Sequence, residues 1–201
     1  MLKDERMARY GAKPFDIRYR LSGLSLIELL VTIAVAALLF AIAVPGLTNM
    51  MTRSELAVAS NAAHGALMVA RESAVMRGQP VSLCAGSPDR GCTGDWAGGQ
   101  WIVFRDANHS GDRDSAETVL HHGRVPGAGQ RVSVDGNGPL RSALVYMPLG
   151  HAERPSGAFG AGRLRLCVEG DVSPNARELI VSASGRVRAQ RVDFGGVCPP
   201  L

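Results

Sequence analysis

The sequence predicts an α+β protein: one long N-terminal helix packed on an antiparallel β-sheet domain. Three observations carry this. The 28-residue stretch Leu24 to Met51 holds a single charge, Glu28. After it, small and apolar residues recur at spacings of three and four up to about Arg77. Beyond Gly78-Gln79-Pro80, short apolar or alternating runs are separated by turn formers, and most of the 24 Gly and 11 Pro fall there.

Residues 1–23 form a short basic leader. Lys3, Arg6, Arg9, Lys13, Arg18 and Arg20 outweigh Asp4, Glu5 and Asp16, which places this end on the cytoplasmic side of a membrane. At about 1.5 Å per residue, residues 24–51 extend about 42 Å as a helix, more than a bilayer core needs. A secretory signal peptide is one competing reading, with Ala41-Ile42-Ala43 as its cleavage pattern. The run is long for such a peptide, and Glu28 has no role in one. An ordinary single-span anchor is the other competitor, but a carboxylate in an apolar segment is costly and calls for a partner. Pro45-Gly46 either kinks the helix or ends the membrane span.

Residues 52–80 read as an amphipathic continuation of the helix. Leu56, Ala59, Ala63, Leu67, Ala70 and Ala74 form one narrow stripe, with Arg53, Asn61, Arg71 and Glu72 off it. Small residues on that stripe let a sheet approach closely. Gly78-Gln79-Pro80 stops the helix. Residues 81–201 then carry eight expected strands: Val81 to Cys84, Gln100 to Phe104, Thr118 to His121, Arg131 to Val134, Ala143 to Met147, Arg163 to Val168, Glu178 to Ser182, and Arg186 to Val192.

The net charge of +4 is too mild to imply nucleic acid by itself. The five His have no metal-ligand spacing, no Cys-x-x-Cys occurs, and no Ser sits in a nucleophile elbow, so catalysis is not expected. Cys84, Cys92, Cys167 and Cys198 all follow the apolar segment, and an even count in an exported region reads as two disulfides. Three connectivities exist; sequence order favours Cys84–Cys92 and Cys167–Cys198, each stapling a local unit. No cofactor is expected, with one exception to test. Asp106, Asn108, Ser110, Asp114 and Glu117 fall on positions 1, 3, 5, 9 and 12 of a calcium loop, with Gly111 at position 6. Strands rather than helices flank it, and a hairpin loop favours the same residue types.

The leader, Gly23, and the apolar helix with Glu28 five residues on resemble the processing signal of type IV pilins and type II secretion pseudopilins. That resemblance implies cleavage after Gly23 by a prepilin peptidase and N-methylation of the new N-terminus, Leu24, where the family usually has Phe. It also implies that Glu28 meets the α-amine of a neighbouring subunit. The order ARESAVMRGQPVSLC, CTGDWAGGQWIVFRDANHSGDRD, ETVL is similar to the GspH/FimT subfamily. The resemblance implies a type IV pilin-like fold in a minor subunit held in the inner membrane, with its C-terminal domain periplasmic. Its partners would be other pilins or pseudopilins. Gly185-Arg186-Val187-Arg188 is similar to the G-R-x-R motif of DNA-binding FimT minor pilins. In a strand Arg186 and Arg188 share a face, with Arg191 on the opposite face or at the bend. Such arginines suit the phosphates of double-stranded DNA without reading bases. The resemblance leaves two machines open: a type IV pilus taking up DNA, or a type II secretion pseudopilus without DNA binding.

Overall fold

The computed structural model describes Gly23 and residues 25–201. Two compact units divide the chain, Met1–Ala43 and Val44–Leu201. One helix, α1, is continuous from Leu26 to Arg77. Ser25 caps its start: the Glu28 N–H donates to Ser25 Oγ at 3.2 Å, the first half of a Ser-x-x-Glu capping box. The helix runs through Pro45-Gly46, so Pro45 does not end it. Gly78, at φ 63, takes the left-handed conformation that closes a helix C-terminus.

In the first unit, the described side chains of the apolar helix are almost all exposed: Leu26, Ile27, Leu38, Leu39, Phe40 and Ile42 have no covering partner among the described residues. By length and composition this helix is able to cross a membrane.

The second unit holds two antiparallel sheets. The first has the order β4-β3-β1-β6-β7, with β2 added to β1. Its strands are β1 (Val81–Ser87), β2 (Gly91–Cys92), β3 (Gln100–Arg105), β4 (Val119–Arg124), β6 (Ala143–Tyr146) and β7 (Ala152–Glu153). The second has the order β10-β9-β8-β5, from β5 (Val132–Gly136), β8 (Gly162–Val168), β9 (Ala176–Val181) and β10 (Val187–Val192). All eight expected runs form strands. The two-residue strands β2 and β7, and a 3₁₀ turn at Gly138–Arg141, are additions.

The small-residue stripe packs as expected. Leu56, Ala59, Ala63, Leu67, Ala70 and Ala74 are buried against Val81, Leu83, Leu144 and Tyr146 of the first sheet and Leu164, Leu166, Leu179 and Val181 of the second. Alanines bring the helix close to both sheets, and the larger strand residues fill the space, which is how a dense core is reached. A second, small core of Cys84, Ile102, Phe104 and Ala143 lies on the other face of the first sheet, which is why every residue of β1 is buried.

Candidate functional site

Four places hold the residues singled out by the sequence. At the N-terminus, Gly23 and Glu28 are exposed. Leu24 lies outside the described residues. Sequence reasoning missed that Ser25 and Glu28 stand at the N-cap and N3 positions of the helix. Glu28 therefore also complements the helix dipole.

The loop from Asp106 to Glu117 is closed by its own hydrogen bonds. Asp106 is fully buried. Its Oδ2 accepts from Ser82 Oγ at 2.6 Å and from the Gly111 N–H at 2.9 Å, while Oδ1 accepts from the Ser110 N–H at 2.9 Å. Glu117 accepts from the N–H groups of Ala107 (2.9 Å) and Asp114 (3.1 Å). Asn108 Nδ2 donates to Asp114 Oδ2 at 2.7 Å. Among the described residues no three His, Cys, Asp or Glu side chains assemble as a metal would require. In this arrangement Asp106 and Glu117 are engaged by backbone N–H groups and by Ser82, and Asp114 by Asn108. Gly111, at φ 74, is pressed against Ala143 and Pro155, so the loop folds over the small second core.

The cysteines pair as Cys84–Cys92 and Cys167–Cys198. The second bond pins the C-terminal tail across the outer face of the second sheet. Arg165 Nη1 donates to Pro199 O at 2.7 Å, and the Leu201 N–H to Asp135 Oδ2 at 2.8 Å. On the same face Glu178 is almost fully buried. Its carboxylate accepts from Arg165 Nε (2.9 Å) and Gln190 Nε2 (2.9 Å) and pairs with Arg163 at 3.2 Å. Burial raises its pKa, but the hydrogen bonds from Gln190 and Arg165 and the two guanidinium charges outweigh that and hold it below the usual range.

The C-terminal hairpin carries the arginines. Gly185, at φ 75, forms the turn, and a Cβ there would overlap the carbonyl oxygen of Gly150. Its glycine is required by backbone packing, whatever else the motif does. Arg186 and Arg188 follow, both exposed, and neither guanidinium has a hydrogen-bond or ion-pair partner among the described residues. The register Arg188↔Ile180 and Arg191↔Arg177 puts Arg191 on the face opposite Arg188. Strand β10 is also the edge of its sheet. Phe194, the nearby aromatic, lies under the Arg165 guanidinium, 4.4 Å from carbon to ring centre. One face of its ring is thus covered by that cation.

A membrane-length apolar helix that continues into a two-sheet antiparallel domain is a type IV pilin-like fold. The chain matches the family model described as Type II transport protein GspH over residues 59–185, more than half its length, and it belongs to that family. It is thus a minor pilin or pseudopilin, a structural subunit rather than an enzyme, and as such associates with other pilins. No curated protein sequence matches it. Its structure is similar to the type IV minor pilin FimU of Pseudomonas aeruginosa, with 17% identity, 69% of this chain and 90% of that chain covered, and a TM-score of 0.48. It is also similar to the minor pseudopilin EpsH of the Vibrio cholerae Type 2 Secretion System, at 11% identity, 68% and 97% coverage, and a TM-score of 0.45. The family match stops at Gly185, before Arg186 and Arg188.

Proposed function

We propose that the chain is a FimT-like minor pilin of a type IV pilus, placed in the tip or priming complex and binding double-stranded DNA during uptake. The observation that carries the DNA reading is the pair Arg186 and Arg188. They are exposed together beside a sheet-edge strand and have no acidic partner among the described residues. Two free guanidiniums on an accessible edge suit phosphate contacts, which give salt-sensitive binding without base readout.

In this reading residues 1–23 are removed by a prepilin peptidase, Leu24 becomes the methylated N-terminus, and Glu28 meets a neighbour's α-amine during assembly. Residues 24–51 anchor the subunit in the inner membrane and then the filament, 52–80 join anchor to domain, and 81–201 form the periplasmic domain. Its two disulfides suit an oxidising compartment. The second reading is a type II secretion pseudopilin without DNA binding, favoured by the family's description as a transport protein.

Deleting the gene and assaying piliation, DNA uptake and protein secretion together tests the choice. Loss of pili and DNA uptake with normal secretion is the expected result. Loss of secretion with normal pili and uptake would overturn it in favour of the secretion machine.

A further inference from the structure

Arg177 of β9 and Arg191 of β10 stand directly opposite each other across the hairpin. Like charges in that position repel and destabilise a strand pair. A third guanidinium, Arg53 of α1, joins them around a pocket of about 140 Å³ completed by Leu56, Pro174 and Ala176. None of the three arginines has a hydrogen-bond or ion-pair partner among the described residues, and no carboxylate lines the pocket. Burial, and then the neighbouring Arg191, lower the pKa of Arg177, the direction expected where a cation lacks its counter-ion. Three converging donors of one sign around a small concavity are suited to a tetrahedral oxyanion, because guanidiniums fork onto phosphate oxygens.

The position of Arg53 indicates which oxyanion. It lies two residues beyond Met51, where the apolar segment ends. Val44, Leu47, Met50 and Met51, on the same stretch of helix, are each more than half exposed. A helix whose exposed apolar turns are sunk in a bilayer brings the next turn to the depth of the lipid phosphates, where basic pockets hold acidic head groups.

We propose that Arg53, Arg177 and Arg191 form a binding site for the phosphate of an acidic phospholipid, seating the domain on the membrane before the subunit enters a filament. The site lies on the face of the hairpin opposite Arg188, assigns Arg191 to lipid rather than to DNA, and rests on the membrane-anchor reading of residues 24–51.

The test uses the full-length chain in neutral detergent, titrated separately with phosphatidylglycerol, inorganic phosphate and short duplex DNA. Native mass spectrometry counts retained lipid, and melting temperature reports stabilisation. Wild type is expected to retain phosphatidylglycerol and melt higher with it. Arg177→Gln/Arg191→Gln and, separately, Arg53→Gln are expected to weaken retention about tenfold, the scale of a lost charge-assisted hydrogen bond. Arg188→Gln should leave it unchanged. The double replacement removes a repulsion and Arg53 is exposed, so both variants are expected to fold. Equal lipid retention by wild type and both variants would overturn the site. A shift with inorganic phosphate that phosphatidylglycerol does not reproduce would overturn the lipid and leave a free-phosphate pocket. DNA binding lost in the variants with lipid retention intact would assign the pocket to the DNA footprint instead.

Discussion

Arg71 of α1 donates from Nε to the carbonyl oxygen of Gly150 at 2.9 Å, and the same guanidinium reaches Ser184 O at 3.4 Å. That Gly150 oxygen is also the atom that leaves no room for a side chain at Gly185. Helix, loop and hairpin turn therefore meet at one carbonyl. The turn that aims Arg186 and Arg188 is fixed from behind by a residue 113 positions earlier.

Gly185→Ala should consequently act through the fold. The left-handed backbone costs a non-glycine residue about 1–2 kcal/mol, and the overlap with Gly150 adds to that. A lower melting temperature of the full chain in neutral detergent is expected. Arg186→Gln should leave melting unchanged. A Gly185→Ala protein that melts like wild type would show that the turn is not docked on Gly150.

Glu178 offers a pH-dependent stability test. Its folded pKa is depressed, so its contribution is present above the ordinary glutamate range and is lost as pH falls through the lowered folded value. Breaking a buried charge pair costs about 3–5 kcal/mol, because Arg165 would be left buried without its anion. Glu178→Gln should lower the melting temperature at neutral pH, and the gap to wild type should narrow on acidification. A gap that stays constant down to acid pH would contradict this.

Asp106 is expected to be structural. Asp106→Ala leaves the Ser82 hydroxyl and the Gly111 N–H without their acceptor and the Ser110 N–H with Asn108 Oδ1 alone, a loss of about 3 kcal/mol in a buried setting. Millimolar calcium should leave the melting of wild type unchanged. A calcium-dependent rise that Asp106→Ala abolishes would assign the loop to calcium.

The helix and the strands were legible in the chain for a simple reason: period and turn chemistry are local. The stripe from Leu56 to Ala74 announces its buried face by spacing alone, and it is buried. Partner choice is not local. Nothing in Val132 to Gly136 says that it pairs with Gly162–Val168, about 30 residues on, rather than with the strands that flank it in sequence. The division into two sheets was therefore hidden. The loop at Asp106 shows the converse limit. One residue pattern serves both a calcium site and a self-closing turn, and only the direction of the backbone N–H groups separates them. Spacing shows Arg53 only as a residue off the apolar stripe. Its convergence with Arg177 and Arg191 depends on the packing of α1 beside the hairpin, which spacing along the chain does not reveal.

A mobility-shift titration of the full-length chain in neutral detergent with labelled double-stranded DNA decides whether Arg186 and Arg188 hold DNA. Wild type is expected to bind with an affinity that falls steeply with salt. Arg186→Gln/Arg188→Gln should bind about tenfold or more weakly, with a salt slope shallower by about two charges. Equal binding and equal salt dependence of the two proteins would contradict it.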